Sequence, residues 1–301
     1  MANYINNKDF LFEIAKSKIT YCCFTEKTDA YYDIILPNVD LIPESIEQGR
    51  QNRADRLSKI AYDQGLIDAK AAGQAKPKSE DFQIDPTTIS DDEIIFRIMT
   101  WEHIPMEVVK TKKEAKLKIE EFFPEDSLFE EETTMIEVPA VSLDPESGIA
   151  KPKMKYVKVN FPPFQHFKYV DGSITLIGKS HWKGTLEDGH FSKDHGAMTR
   201  KLAEMFIKLC DRYATRSNWR SYTYNDEMRG QALLQLSQVG LQFDESKSNN
   251  PFAFYTTVTT NSFCRILNEE KKRQSLRDDI LESYNLNPSF TRQNEWNNYD
   301  D

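Results

Sequence analysis

NDEMRGQALLQLSQVGLQFDESKSNNPFAFYTTVTTNSFCRILNEEKKR, Asn225 to Arg273, is the stretch whose periodicity decides how this chain is read. Its first half predicts a helix from about Tyr224 to Phe243. Asn225 is placed to cap it, Asp226 and Glu227 sit in the first turn where negative charge meets the positive end of the helix dipole, and Met228, Ala232, Leu236 and Val239 recur at spacings of three and four. The opposite face, with Glu227 and Gln231, is left for a partner. FDESKSNNP then reads as a polar turn in which Asn250 supplies an N-cap and Pro251 the first helical position. In the following helix Phe252, Tyr255, Thr259, Ser262, Phe263 and Ile266 share one face. Thr257, Thr260, Asn261, Cys264, Arg265, Lys271, Lys272 and Arg273 point largely away from it. That outer face is polar early and basic late, a pattern suited to base edges first and backbone phosphates second. A solvated charge run is the plain alternative.

Upstream, AMTRKLAEMFIKLCDRY predicts a further helix with Leu202, Met205, Phe206, Leu209 and Tyr213 as its buried stripe. At the other end of the chain, Asn6 or Asn7 can cap a helix carrying Phe10, Leu11, Ile14 and Ile19, an apolar face that something must cover. Residues 45 to 72 read as helical, and AAGQAKPKSE (71 to 80) as an exposed loop. Ser90 to Glu93 has the form of a capping box ahead of Ile94, Ile95, Phe96, Ile98, Met99 and Trp101, which predicts another helix; TKKEAKLKIEEFF (111 to 123) is a third amphipathic candidate. From about Thr133 the texture turns to strands. MIEVPAVSL, a DPESG turn and MKYVKVNF predict a hairpin with Val157, Val159 and Phe161 on one face, and FQHFKYVDGSITLIG predicts irregular or β structure turning at VDG.

The chain has 301 residues, 39% hydrophobic and 29% charged, with a formal charge of −9. His195 to Arg273 carries a local +4, leaving −13 on the rest, so a basic module sits on an acidic chain. An isolated +4 module neutralises few phosphates, which points to DNA contact made only when something larger holds the protein there. No stretch approaches the roughly 20 apolar residues of a membrane span, and the first residues lack a signal-peptide pattern, so no membrane and a cytoplasmic location are expected. Cys22, Cys23, Cys210 and Cys264 show no CxxC spacing. His166, His181, His190 and His195 cluster in sequence but match no ligand spacing, and no phosphate loop, nucleophile elbow or metalloprotease motif is present. No metal, no cofactor and no catalytic residue are expected.

The residues just described resemble region 2 of bacterial sigma factors, and most of all the late-transcription sigma factors of T-even-type phages and their cyanophage relatives. The likeness lies in LAEMFIKLCDRY and in the phrase from Glu227 to Arg273: an EM pair, FDE, a short polar loop, NP, an aromatic-rich helix, NxF and a basic end. YINNKDFLFEI (Tyr4 to Ile14) also resembles the start of those proteins; together these cover about a third of the chain. The resemblance implies that Glu227, Met228 and Gln231 contact the β′ clamp helices of the host RNA polymerase core. It implies DNA contacts by Phe254, Tyr255, Thr257, Val258, Thr260, Asn261, Arg265, Lys271, Lys272 and Arg273 at a melted, AT-rich minus-ten-like element. Where primary sigma factors carry a tryptophan pair that wedges the bubble, this chain has Thr257 and Val258. Phage coactivator and sliding clamp are further implied partners, although the chain ends NPSFTRQNEWNNYDD, with only Phe290 and Trp296 as anchors for a clamp.

The expectation is therefore a mainly α protein. It comprises an N-terminal helix (1–20), a mostly helical insertion (21–130), a β-rich segment (131–190), a sigma region 2-like helical domain (191–275) and a tail (276–301), with a β-hairpin in the α/β N-terminal and middle insertion. The expected function is that of a phage-encoded sigma factor in the cytoplasm of an infected bacterium. A polymerase-binding adaptor or inhibitor of the same fold is the alternative, and the outer face of the third helix separates the two.

Overall fold

The computed structural model describes residues 6–108 and 154–297. The helical elements are α1 (Asn7–Ile19), α2 (Ile46–Ala71), α3 (Arg200–Ala214), α4 (Asn225–Val239), α5 (Pro251–Ser283) and α6 (Phe290–Asn297). The strands are β1 (Cys22–Phe24), β2 (Ile34–Leu36), β3 (Ile95–Met99), β4 (Met106–Val108), β5 (Met154–Tyr156), β6 (Phe164–Val170), β7 (Ser173–Ser180), β8 (Trp182–Lys183) and β9 (His190–Phe191). The protein is mainly helical with a small mixed sheet. None of the described helices is long and apolar enough to cross a membrane. The contacts divide the chain into a large unit, within Met1–Met99 and Val159–Asp301, and a small one, Thr100–Lys158.

In the large unit α3, α4 and α5 form a bundle, and α1 packs across α3 and α5. The apolar face of α1 is covered as its sequence requires: the Phe10 ring lies 5.0 Å from Tyr255 and 6.1 Å from Phe206. Asn6 caps α1 by accepting from the Asp9 amide. On α3 all five expected residues are buried, with Thr199 as the N-cap. Asn225 is not the cap of α4; its side-chain amide instead donates to the carbonyls of Ala214 and Trp219, closing the loop from α3. Val239 is only half-buried, and the helix tightens at Gly240–Gln242 into a 3-10 turn.

A five-stranded sheet in the order β1-β7-β6-β3-β2 lies beside the bundle, with β2 and β3 parallel and every other pair antiparallel. The run after Ser90 is a correction to the sequence reading: Asp91–Glu93 is one 3-10 turn and Ile95–Met99 is strand β3, not helix. Its isoleucines and phenylalanine favour extended backbone, and a strand covered on both faces carries a continuous apolar run that periodicity cannot tell from a buried helix. Strands β6 and β7 form a hairpin whose two-residue turn, Asp171 and Gly172, holds both residues at positive φ (50° and 80°), the geometry that an Asp-Gly pair supplies. Helix α2 rests on this sheet through Ala54, which is buried in one cluster with Leu36, Ile94, Phe96 and Ile98. The buried Asp33 carboxylate pins it there by pairing with Arg56 at 2.8 Å while accepting from the Ile95 amide at 2.9 Å.

The other end of the sheet shares the bundle's core: Tyr21, Phe161 and Phe164 belong to one apolar cluster with Phe10, Phe206 and Tyr255. Beneath it Arg97 is buried with its guanidinium between the rings of Tyr32 (3.8 Å) and Phe164 (3.9 Å), donating from Nε to Nε2 of His166 at 2.9 Å. Nδ1 of His166 faces the Asp29 carbonyl at 2.7 Å, so it carries the proton and the imidazole is neutral. Burial, reinforced by Arg97, holds its pKa well below the usual histidine value.

In the small unit β4 pairs antiparallel with β5, and Trp101 lies 5.3 Å from Tyr156. The segments MIEVPAVSL, DPESG and TKKEAKLKIEEFF lie outside the described residues. Of MKYVKVNF only Met154–Tyr156 is strand, so Val157, Val159 and Phe161 do not share a strand face.

Candidate nucleic-acid interface

Helix α5 is fixed at its start from three directions. Asn250 accepts from the Ala253 amide as N-cap, Pro251 fills the first turn, and Oδ1 of Asn7 on α1 accepts from the Phe252 amide at 3.0 Å. The loop before it is held by Lys18 of α1. That ammonium donates to the Phe243 carbonyl and to Glu245, each at 2.6 Å, and burial lowers its pKa. Along α5 the hydroxyls of Thr256, Thr257, Thr259, Thr260 and Ser262 donate back to carbonyls four residues earlier. The exposed Thr257 thus presents its oxygen outward as an acceptor.

The expected buried face is Tyr255, Thr259, Ser262, Phe263 and Ile266; Phe252, assigned to it from periodicity, is exposed. The expected contact residues separate into three groups. Thr257, Asn261, Arg265, Lys271, Lys272 and Arg273 are exposed, and Phe254, Val258 and Thr260 are half-buried. Tyr255 has no exposed surface at all, and its hydroxyl donates to the Gly240 carbonyl at 2.6 Å. It cannot stack on a base, because reaching one would take the largest fully buried side chain out of the core. A parallel correction applies on α4: Glu227 is exposed and Gln231 half-buried, whereas Met228 is wholly inside and unavailable to a partner.

Between α4 and α5 runs an open groove of about 330 Å³, which is at the lower end of the range of small-ligand pockets. Phe254 and Val258 form its apolar floor, with Val239 opposite. Gln231, Gln235 and Gln242 line one wall, and Asn261 and Arg265 the other. The structure thereby brings Gln231, expected to face polymerase, to the same cleft as Phe254, Val258, Asn261 and Arg265, expected to face DNA. Apolar side chains beside several side-chain amides suit a planar heterocycle whose edge both donates and accepts hydrogen bonds. Gln235 and Gln242 went unnoticed in the sequence, although the i, i+4 spacing of Gln231 and Gln235 places them on one helix face.

The basic end of α5 is partly compensated internally. Arg265 pairs with Glu269 at 3.0 Å and Arg273 pairs with Glu270, while Lys271 and Lys272 form no ion pair with a described residue. Exposed pairs of this kind are worth about 0–1 kcal/mol and exchange readily for a phosphate. The histidines are scattered: His166 and His181 are buried, His190 is exposed and His195 meets Tyr21 edge-on. Among the described residues no three of His, Cys, Asp and Glu converge as a metal site, and all four cysteines are free thiols.

Comparison with protein-family models, with curated proteins and with solved structures finds no match for this chain.

Proposed function

We propose that this protein is a phage-encoded RNA polymerase sigma factor that binds the host core enzyme through α4 and captures opened, AT-rich promoter DNA on α5. The observation that carries the reading is the groove between the two helices, where Gln231 of α4 meets Phe254, Asn261 and Arg265 of α5, the helix whose outer face runs from Thr257 to Lys272. In this mechanism Glu227 and the exposed edge of α4 dock on the β′ clamp helices. An unpaired base enters the groove over Phe254, gaining roughly 1–3 kcal/mol from stacking, and Lys271 and Lys272 hold the backbone. Opening is driven by binding free energy, so no catalytic side chain is required. With Tyr255 in the core, stacking falls to Phe254, and Val258 stands beside it where a wedging aromatic would be.

Run-off transcription with a bacterial core polymerase and a phage late promoter template tests the assignment. Initiation at the late promoter that depends on this chain is the expected result. Absence of initiation, with core binding intact and transcription by the host's own sigma factor suppressed, would reassign the protein as a polymerase-binding adaptor or inhibitor.

A further inference from the structure

Arg216 lies on the loop between α3 and α4. Its guanidinium sits 4.4 Å from the centre of the Tyr213 ring, and the Tyr213 hydroxyl meets Oγ1 of Thr260 on α5 at 2.6 Å. The arginine is thus held about one ring's length from the outer face of α5. The loop that carries it is built to stay in place. Trp219 is buried 5.4 Å from Phe263, its amide donates to the Arg216 carbonyl at 3.0 Å, and Asn225 ties both ends through the carbonyls of Ala214 and Trp219.

Unlike Arg229, which pairs with Asp211 and Asp226, and unlike Arg265 and Arg273, the exposed Arg216 has no carboxylate partner among the described residues. Each residue of α5 turns about 100° from the last, so Thr260, Thr257, Asn261 and Arg265 follow one another around the exposed arc. Arg216 bounds that arc on the Thr260 side, and the groove bounds it on the other. The arc is about a helix width across, and it presents a fixed cation at one edge and an amide-rimmed apolar cleft at the other.

We propose that Arg216 binds a backbone phosphate of the same single strand whose base occupies the groove. This rests on the reading of α5 as a DNA-binding helix and adds to it a contact from a different segment of the chain. The guanidinium rests over the Tyr213 ring, and its planar fork of donors suits bidentate recognition of a phosphate better than the point charge of a lysine.

The experiment is a salt titration of binding between the full chain and a short, fluorescently labelled AT-rich single strand, measured alone and on core polymerase. Arg216→Ala should lower the slope of log affinity against log salt by about 0.7, the value for one phosphate contact on a single strand. Arg216→Lys should keep the slope, and Arg200→Ala, which removes an arginine paired with Glu204, should leave both slope and affinity unchanged. An unchanged slope and affinity in Arg216→Ala would overturn the contact while leaving the sigma reading intact. A native chain that fails to bind the strand in either setting would overturn both.

Discussion

The hydroxyl of Tyr255 donates to the carbonyl oxygen of Gly240 across a buried contact between α5 and the turn that ends α4. Gly240 must lack a side chain there, because a Cβ would fall 2.6 Å from the Phe206 ring. Two neighbouring aromatics on one helix therefore have opposite tasks: Tyr255 locks the bundle and Phe254 floors the groove.

That division predicts distinct phenotypes. Tyr255→Phe should cost about 1 kcal/mol and Tyr255→Ala about 3–5 kcal/mol in urea denaturation. Phe254→Ala should keep the cooperative fold and core binding yet abolish promoter opening, read from the chemical reactivity of unpaired thymines. Undiminished opening in Phe254→Ala would remove the groove as a base site.

Lys18 and Glu245 define a second prediction, because their pair is buried on both sides. Lys18→Met strands a carboxylate in the interior and should destabilise the protein by about 3–5 kcal/mol. Lys18→Met combined with Glu245→Gln should recover much of that loss, since no uncompensated charge is then left inside. Additive losses in the double variant would show that the two groups do not depend on one another.

The neutral His166 makes stability depend on pH. The unfolded chain takes up a proton near pH 6.5 that the folded chain, with Arg97 against Nε2, refuses. Stability is therefore fully present above about pH 6.5 and falls as the pH drops, by up to about 1.4 kcal/mol for each unit. Thermal melts from pH 7 to pH 5 should show a shallower decline in His166→Gln than in the native chain. Parallel declines would mean that other groups carry the acid sensitivity.

Glu227 is exposed and Gln231 is half-buried on the wall of the open groove, so Glu227→Ala with Gln231→Ala should change stability by less than about 1 kcal/mol. The same double variant should weaken association with core polymerase by about tenfold or more, measured by competition with the host sigma factor. Native affinity in the variant would move the polymerase contact off α4.

The bundle was legible from sequence because amphipathic helices announce both their faces and their caps: the stripe from Leu202 to Tyr213 and the Asn250–Pro251 start are where the spacing places them. What sequence could not separate was burial from exposure among adjacent aromatics. Phe252, Phe254 and Tyr255 differ in environment because Phe10, Phe206, Phe243 and Gly240 converge on Tyr255 from other segments of the chain. Strand β3 was misread for a related reason, since a run buried on both faces has no polar side to reveal its period. The Arg216–Tyr213–Thr260 chain joins residues that are separated by up to 47 positions through an aromatic ring, a relation that no local pattern encodes.

Helix α1 buries Phe10 and Ile14 against partners as distant as Tyr255, and its two latches, Asn7 to Phe252 and Lys18 to Glu245, span 245 and 227 positions. A ribosome adding about 5–20 residues per second takes about 10–50 s to cover that distance. During this interval α1 lacks the part of its packing surface that α5 and the loop before it supply. The sheet can assemble in the meantime, but the start of α5 is latched only once α1 closes on it. Closure of α1 over the start of α5 is thus a late event of synthesis, and a chain stalled before Glu245 would leave the part of the Phe10 face that meets Tyr255 uncovered.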